Sequence, residues 1–362
     1  MKNTKKNNKL QYKNILLISP EPWNHLFVSK HHYATHLAAR GNKVYFLNPP
    51  TENNSCKTTQ YKNVYTINYT GFMKGLAYLP GFIKRNIILK KFQRIQQLCN
   101  TKFDLVWSFD NSVFYDFSAL PQAIFSISHI VDWNQDFRFA NASRTADLCL
   151  STSGYLKEKQ KLYNKDSYNI GHGFYRPTKN EEPLSLPGNN AVKCGYAGNL
   201  DIKYIDWPLI DKLASSFPKV DFHFAGSWKE SRKFEKIRAL PNFFYHGVLK
   251  SKELEVFYKS MDILILIYLN KKYPEQLANP HKMMEYLGSG KAIVGTWTAE
   301  YKPLAEDGII KMATNTDEFI AAFQEVKNNL TYWNSEKLME SRGYFADQNT
   351  YKKQIEKIEN LL

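Results

Sequence analysis

A regular alternation of apolar strand segments and amphipathic helices occurs twice along this chain and limits the folds open to it. The first series begins with the strand KNILLIS, followed by a helix that ends near Gly41 and a strand that stops at Pro49. The second begins with VKCGYAGN and continues through DILILIYL to KAIVGTW. Such alternation predicts parallel, doubly wound α/β sheets. We therefore expect two Rossmann-like domains that face each other across a cleft, with ligands at the carboxyl ends of the strands.

A polar, proline-rich segment, FYRPTKNEEPLSLPGNNAV, separates the two series and is typical of a linker between domains. It sets the predicted organisation of the chain. The predicted segments are a disordered basic tail at 1–14, an N-terminal domain at 15–175, a linker at 176–192, a C-terminal domain at 193–345, and a C-terminal helix at 346–362 that packs back on the first domain.

Positive charge is concentrated in the first part of the chain. The formal net charge is +15, yet residues 1–14 carry five lysines and no acid, and residues 53–103 carry nine Lys/Arg and no acid. The four cysteines are too far apart for a CxxC pair or a zinc motif. The longest apolar run, MDILILIYL, is too short to span a membrane, and no signal-peptide core is present. These features predict a cytoplasmic protein with a basic amino-terminal half.

The stretch NPHKMMEYLGSGKAIVGTW predicts a short capped helix followed by a strand. Asn279 suits the N-cap, Pro280 the first helical position, and Gly288 or Gly290 the end of the helix. The free N–H groups of such a helix start, together with Lys282, favour an anion such as phosphate. The alternative is an exposed ion pair between Lys282 and Glu285, three residues apart.

Two nucleotide motifs are excluded. GSGKA lacks the first glycine and the Ser/Thr of a P-loop, and it follows its helix instead of preceding it. No GxGxxG fingerprint follows the first strand, which disfavours dinucleotide redox chemistry.

NPHKMMEYLGSGKAIV resembles the donor-binding segment of GT-B glycosyltransferases, in particular the retaining family 4 and its teichuronic-acid and capsule-synthesis branches. Three further stretches resemble this family in the expected order: SKHHYATHLAARGNKVYFLNPP, GHGFYRP and YHGVLKSKELEVFYKSMDILILIY. The resemblance covers most of the chain. It implies a GT-B fold, with an acceptor-side N-terminal domain and a C-terminal domain that binds a nucleotide sugar.

The resemblance also implies roles for particular residues. Glu285 would hold the ribose hydroxyls, Lys282 and the helix start the diphosphate, and the backbone around Gly247 the base. Asn199 stands where the family usually has an arginine, which leaves Lys203 as a substitute, and Leu277 stands where many members have a glutamate. The predicted donor site comprises Gly198, Asn199, Lys203, Gly226, Gly247, Val248, Asn279, Pro280, Lys282 and Glu285.

The predicted catalytic residues are His129 and Asp132, which the stretch AIFSISHIVDWNQDF places just beyond a strand, at its carboxyl end. The resemblance implies that His129 approaches the donor sugar, although a histidine after a strand is often structural, and Asp132 could equally cap a helix. Lys30, His31 and His32 lie at the start of the first helix, within reach of an acceptor or donor sugar or simply as exposed polar residues, and we favour the second interpretation. His172, between two glycines at a predicted turn, is a weaker candidate.

The basic segment GLAYLPGFIKRNIILKKFQRIQQLCN carries Ile88, Phe92 and Ile95 at helical spacing. It predicts either a helix packed on its own domain or a surface that rests on anionic lipid within reach of a lipid-linked acceptor.

The sequence thus predicts a glycosyltransferase that moves a sugar from a nucleoside diphosphate to a saccharide in surface polysaccharide assembly. The absence of a DxD triplet predicts no metal and no other cofactor. The alternatives are a sugar-nucleotide epimerase of the same fold and a basic nucleic-acid-binding protein, and the second lacks any recognised motif.

Overall fold

The structure is a computed structural model that describes residues 10–133, 138–176, 184–229 and 234–362. The chain divides into two compact units. Unit 1 comprises Met1–Gly173 with Tyr351–Leu362, and unit 2 comprises Phe174–Thr350. The greater part of the predicted tail, 1–9, and residues 177–183 of the predicted linker lie outside the described residues.

The described residues contain fourteen strands, eight in unit 1 and six in unit 2. The strands are β1 Asn14–Ile18, β2 Lys43–Leu47, β3 Ser55–Thr58, β4 Val64–Asn68, β5 Leu105–Ser108, β6 Phe125–Ile130, β7 Leu148–Ser151, β8 Ser167–Asn169, β9 Val192–Ala197, β10 Val220–Ala225, β11 Phe243–Tyr245, β12 Ile263–Leu266, β13 Ala292–Thr296 and β14 Lys311–Ala313.

Helices connect most of these strands. The α-helices are α1 Ser29–Ala39, α2 Gly81–Leu98, α3 Phe139–Thr145, α4 Gly154–Lys161, α5 Trp207–Ser216, α6 Glu235–Arg238, α7 Ser251–Lys259, α8 Lys282–Ser289, α9 Lys302–Glu306, α10 Thr316–Asn328, α11 Leu330–Trp333, α12 Glu336–Asp347 and α13 Tyr351–Glu359. None of the described helices is both long and apolar enough to cross a membrane.

The sheet of unit 1 has the strand order β3-β4-β2-β1-β5-β6-β7-β8. Every pair is parallel except β3 with β4 at one edge. In β1, the residues Ile15–Ile18 are at most 1% exposed, because a central parallel strand is covered on both faces. This explains why the strand has the continuous apolar sequence ILLI.

The sheet of unit 2 is entirely parallel and has the order β11-β10-β9-β12-β13-β14. The order reverses at β9, the first strand of the unit, which is the arrangement of a doubly wound nucleotide-binding sheet. Ligands of such sheets bind outside the carboxyl ends of the strands next to the reversal. The predicted fold class, with two Rossmann-like units, is confirmed.

Helix α2 packs on the core of unit 1 through its apolar face, for which the sequence left open a contact with lipid. Ile88 and Phe92 are completely buried, Ile95 is 2% exposed, and all three belong to the core of unit 1. The interpretation of these three side chains as a membrane-facing surface is therefore wrong, since the sheet already covers them.

The carboxyl-terminal helix α13 belongs to unit 1. Tyr351, Ile355 and Ile358 are buried in the same core as β1 and α1. At its end, Glu359 pairs with Arg40, with 2.5 Å between oxygen and nitrogen. Helix α12, which ends at Asp347, belongs to unit 2, so the change of unit falls between Thr350 and Tyr351.

Candidate functional site

Three glycines meet at the carboxyl ends of neighbouring strands in unit 2. Gly198 follows β9, Gly226 follows β10, and Gly247 lies two residues beyond β11. The Gly198 N–H donates to the carbonyl of Ala225 at 2.8 Å, and the Gly226 N–H donates to the carbonyl of Gly247 at 2.6 Å. Three of the predicted donor-site residues thus lie together at the edge where ligands bind in sheets of this kind.

The close approach of these backbones requires glycine. Gly226 has a φ of 136°, and a Cβ built there would collide with the carbonyl oxygen of Gly198. A Cβ at Gly198 would collide with the side chain of Lys282 and lie 2.5 Å from its Nζ. Because Gly198 and Gly226 have no side chain, backbone atoms and the side chain of Lys282 come close together here, which suits close contact with phosphate.

Helix α8 begins at Lys282, two residues later than the sequence predicts. His281 precedes it and already has helical backbone angles. The prediction of Asn279 as N-cap is wrong, because the chain enters the helix through His281, and the Asn279 Oδ1 accepts a hydrogen bond from the Tyr301 hydroxyl at 2.7 Å. The helix ends as predicted at Gly290, which is left-handed with a φ of 75°.

Lys282 lies at the first turn of α8, above Gly198 and a buried tyrosine. Its Nζ is 5.9 Å from the centre of the Tyr196 ring, and the Tyr196 hydroxyl is 3.2 Å from that of Tyr268. A lysine at a helix start adds a full positive charge to the positive end of the helix dipole. This end of unit 2 therefore favours an anionic ligand.

Glu285 is oriented by neighbours on both sides. The Tyr258 hydroxyl donates to its Oε2 at 2.7 Å, and the His281 Nδ1 lies 3.7 Å from its Oε1. The side chain remains 35% exposed. Burial raises the pKa of Glu285, while the charge of Lys282 and the Tyr258 hydrogen bond oppose that rise. The carboxylate is therefore fixed in direction and keeps capacity to accept hydroxyl groups of a ligand.

Of the remaining predicted donor-site residues, Asn199, Lys203 and Val248 lie at the surface and Pro280 is buried. Asn199 is exposed and its Oδ1 accepts from the Asp201 N–H at 2.9 Å. Lys203 is exposed, and its Nζ lies 5.3 Å from the centre of the Tyr273 ring. Val248 is 67% exposed next to Gly247, whose φ is 68°. Their roles in donor binding stay predictions, as does that of Pro280.

In unit 1, His129 is enclosed by aromatic rings at the end of β6. It is 1% exposed, with the Phe109 ring centre at 4.6 Å and the Tyr33 ring centre at 5.5 Å. The Trp107 indole N–H donates to its Nδ1 at 3.3 Å, so the proton of the neutral ring is on Nε2. Burial, with the positive charge of Lys30 and the nearby His172, lowers the pKa of His129 well below its ordinary value. His129 is therefore a neutral hydrogen-bond donor.

Asp132 is exposed and lines a small pocket at the ends of β1, β5 and β6. The pocket also contains Glu21, Lys30 and Asn111, with Phe109 as part of its apolar wall. The helix-cap alternative for Asp132 falls on residues 134–137, which lie outside the described residues. Glu21 and Asn111 were missed in the sequence, although the polar pair Asp110-Asn111 lies one residue beyond the strand LVWS.

The interpretation of Lys30, His31 and His32 as exposed residues is wrong. Lys30 is 5% exposed and its Nζ lies 2.9 Å from a carboxylate oxygen of Glu21. His31 is completely buried and its Nε2 donates to the Pro22 carbonyl at 3.1 Å. His32 is partly buried. These side chains pack inside unit 1, where each polar group of the first two has a partner.

His32 and His172 depend on helix α13. The His32 ring stacks on Tyr351 with centres 4.7 Å apart, and burial lowers the pKa of His32 to about 3. His172 is 1% exposed, and its carbonyl accepts from the Gln354 amide at 3.2 Å. Gly171 has a φ of 72°, as a turn at this point requires. His172 is thus part of the junction between the first segment of unit 1 and its last helix.

Comparison with known proteins gives one sequence relative and many related structures. No known family model matches the chain. A protein of Bacillus subtilis (strain 168), which bears the name teichuronic acid biosynthesis glycosyltransferase TuaH, is 29% identical over 113 residues. The matched segment covers 31% of this chain and 28% of that relative.

Solved structures match the chain over nearly its whole length. A glycosyltransferase of Rickettsia africae has a TM-score of 0.68 at 12% identity, with 98% of both chains covered. An Escherichia coli protein named for trehalose-6-phosphate and bound to UDP-2-fluoro glucose has a TM-score of 0.61 at 12% identity, covering 96% of this chain and 98% of its own. The chain has the GT-B fold.

The GT-B fold is shared by enzymes of more than one class. A structure from Listeria monocytogenes, named as a UDP-N-acetylglucosamine 2-epimerase, matches with a TM-score of 0.56 at 12% identity and covers 96% of this chain and 95% of its own. The resemblance stated from the motifs is confirmed at the level of the fold and of the matched segment, whereas membership of family 4 stays a prediction. Activity has to be argued from the residues of the site.

Proposed function

We propose that this GT-B protein is a glycosyltransferase that moves a sugar from a nucleoside-diphosphate sugar to a saccharide. The observation that carries this proposal is the meeting of Gly198, Gly226 and Gly247 with Lys282 at the strand ends of unit 2. A diphosphate needs close backbone approach and a positive charge, and both occur here. Glu285, held by Tyr258, supplies an acceptor for ribose hydroxyls three residues further along the same face of the helix.

The same residues suit the transfer step. The bond between the sugar carbon and the diphosphate oxygen breaks through an oxocarbenium-like transition state, and negative charge grows on the departing diphosphate. Lys282 and the positive end of the α8 dipole would stabilise that charge. The acceptor hydroxyl forms the new bond to the sugar carbon and gives up its proton.

In unit 1 we assign different roles to the two predicted catalytic residues. His129 has its proton on Nε2 and a pKa well below the ordinary value, so we assign it the role of a neutral hydrogen-bond donor that is buried behind the pocket at the end of β6. Asp132 is an exposed carboxylate on the pocket of unit 1 and is the better candidate to accept the proton of the acceptor hydroxyl.

The finer parts of the proposal rest on resemblance and charge. The named relative supports a role in surface polysaccharide synthesis, and the acid-free basic segment 53–103 supports a lipid-linked acceptor at the inner face of the membrane. The resemblance of the motifs to family 4 is the support for a retaining reaction, and the lack of a DxD triplet is the support for a metal-independent one without a cofactor. No nucleic-acid partner is part of the proposal.

A thermal-shift screen of UDP, GDP, ADP, CDP and dTDP with their common sugars tests the donor site. We expect one nucleotide class to stabilise the protein, and Lys282→Ala and Glu285→Ala to weaken the apparent affinity by about tenfold or more, the loss expected for a charge-assisted hydrogen bond. Lys302→Ala is the matched control, because Lys302 is an exposed helix-start lysine paired with Glu306. If no nucleotide stabilises the parent, or all three variants respond as the parent does, the site assignment is wrong.

A second experiment distinguishes sugar transfer from epimerisation. Epimerisation is tested because the structure from Listeria monocytogenes that shares this fold is named as an epimerase. The protein is incubated with the donor identified in the screen, with and without an acceptor saccharide. Transfer requires the acceptor, whereas an epimerase converts the donor alone. An epimerised nucleotide sugar formed without acceptor would favour the epimerase.

A further inference from the structure

Unit 1 exposes four large apolar side chains just before and at the start of α2. Tyr78 is 93% exposed, Phe82 is 70%, Met73 is 59% and Ile83 is 36%. We name these four residues the apolar tip. They lie within eleven residues of the chain, and several large apolar side chains exposed in so short a segment are typical of a contact surface.

The apolar tip is held on a firm base. Leu76, in a short 3-10 helix at Leu76–Tyr78, is 6% exposed and belongs to the core of unit 1. The Lys91 Nζ donates to the Thr70 carbonyl at 2.7 Å, and the Lys84 Nζ donates to the Ala77 carbonyl at 3.3 Å. The inner face of this segment is thus anchored, and the tip is its outward-facing side.

Cations surround the tip along the chain. Lys74, Arg85, Lys90 and Arg94 are exposed, and we name them the basic collar. No aspartate or glutamate occurs between residues 53 and 103, so no acidic side chain of this segment offsets them. An apolar patch bordered by uncompensated positive charge is complementary to an anionic bilayer, whose headgroups take the cations and whose acyl boundary takes the apolar side chains.

We propose that the apolar tip inserts into the interface of an anionic membrane while the basic collar contacts its headgroups. This surface differs from the face of α2 that carries Ile88, which is buried in the protein. The inference deepens the membrane contact of the proposed function, but it concerns lipid binding and does not depend on donor binding. Failure of either one leaves the other standing.

Single-stranded RNA is the other macromolecule that such a surface could take. RNA-binding surfaces stack bases on aromatic rings within a basic groove. Here Met73 and Ile83 share the patch with Tyr78 and Phe82, and aliphatic side chains gain from acyl chains and little from bases. The composition of the tip therefore favours lipid, and RNA becomes an outcome of the test.

Co-sedimentation with vesicles tests the proposal on the full chain. We expect binding to vesicles of equal parts phosphatidylcholine and phosphatidylglycerol, with little binding to pure phosphatidylcholine. The double variant Tyr78→Ser/Phe82→Ser should bind at least about tenfold more weakly. Its matched control is Tyr332→Ser/Tyr344→Ser, two tyrosines of unit 2 that are 61% and 67% exposed. Equal loss in both variants would overturn the assignment of the tip.

Charge is tested separately with Arg85→Gln/Lys90→Gln. We expect roughly fivefold weaker binding for each cation removed and a shallower dependence on salt. The control, Lys302→Gln/Lys337→Gln, removes two exposed lysines of unit 2 and should leave binding unchanged. Binding that is indifferent to the first variant, or equally strong on phosphatidylcholine alone, would overturn the role of the collar.

Insertion itself has a spectroscopic readout. In Phe82→Trp, the new indole should be quenched by phospholipids brominated on their acyl chains, beyond the quenching seen with the parent protein. Absence of extra quenching would overturn insertion. Retention of an RNA oligonucleotide that the tip and collar variants abolish, with no vesicle binding, would replace the membrane with RNA.

Discussion

The two units end their sheets in different ways. In unit 2, Gly198 and Gly226 bring bare backbone to the strand ends, and the charged residues Lys282 and Glu285 stand at the start of one helix. In unit 1 the polar side chains near the strand ends are themselves buried, such as Lys30 at the start of α1 and His129 near the end of β6. Unit 2 is thus shaped for a ligand that binds backbone and a few charges, whereas unit 1 depends on side chains held by their neighbours. A substitution in unit 2 should therefore destabilise the protein by filling space between backbones. A substitution in unit 1 should destabilise it by removing the partner of a buried polar group.

The largest expected effect is at the crowded glycine of unit 2. Gly226→Ala should lower the free energy of unfolding by about 3 kcal/mol, because the new Cβ would collide with the Gly198 carbonyl at a backbone angle that side chains rarely adopt. Denaturant unfolding measures it. Gly308→Ala is the control, since Gly308 also has a positive φ, 69°, but has open space around it, and should cost about 1 kcal/mol. Equal costs would show that backbone conformation, and not the contact with Gly198, explains the glycine.

In unit 1 the corresponding test removes a buried partner. Lys30→Met should cost about 2 to 3 kcal/mol, because it leaves the Glu21 carboxylate without its cation in a partly buried position. Adding Glu21→Gln should recover more than half of that loss in a double-mutant cycle. The exposed pair Lys302–Glu306 is the control, and Lys302→Met should change stability by less than about 0.5 kcal/mol.

Acid should weaken unit 2 through a buried histidine pair. His223 is completely buried, its Nδ1 lies 3.0 Å from the His246 Nε2, and burial with the nearby His246 and Lys193 lowers the pKa of His223 to about 3. Below its unfolded pKa of about 6.5, His223 binds a proton in the unfolded chain but stays neutral in the folded chain. The free energy of unfolding therefore falls as pH drops from about 6.5 towards 3.

The size of this loss of stability at acid pH follows from the difference between the folded and unfolded pKa values of His223. At about pH 5 the loss for this one group is about 2 kcal/mol relative to neutral pH. His223→Gln should reduce the difference in unfolding free energy between about pH 7.5 and pH 5 by that amount. His25→Gln, at an exposed position of unit 1, should not. An unchanged pH dependence in His223→Gln would contradict the assignment.

The smallest effect is expected at the edge of the donor site. Lys203→Ala should change stability by less than about 0.5 kcal/mol, because the side chain is exposed. Its effect on nucleotide affinity in the thermal-shift assay should be smaller than that of Lys282→Ala, since its ammonium lies over the rings of Tyr204 and Tyr273. A larger effect than that of Lys282→Ala would move the centre of the diphosphate site to the loop after β9.

The sequence predicted unit 2 better than unit 1, and the reason is the range of the interactions. The apolar run DILILIYL, the glycines after strands and Gly290 at the end of α8 are local signals, and each is where the structure has it. The start of α8 was less accurate, because Asn279 is drawn to Tyr301, twenty-two residues further along the chain. Local patterns do not report such competing partners.

The polar start of α1 shows what local patterns cannot supply. The letters SKHH are typical of a solvated helix start, yet the rings of Phe27 and Phe46 stack on His31, and Tyr351 stacks on His32 from more than three hundred residues away. Burial there is decided by distant aromatic residues. For the same reason the pocket with Glu21 and Asp132 could not be assembled from motifs, since its residues come from the ends of three separate strands.

The position of α13 sets an order of events during synthesis. Unit 1 consists of the first 173 residues and the segment Tyr351–Leu362, with the whole of unit 2 between them. A nascent chain therefore displays the surface around Tyr33 and His32 without its covering helix while the ribosome translates the intervening 177 codons. All residues of unit 2 are therefore synthesised before the last helix of unit 1. Amino-terminal domains customarily fold first, but here the packing of unit 1 can be completed only after unit 2 has been synthesised.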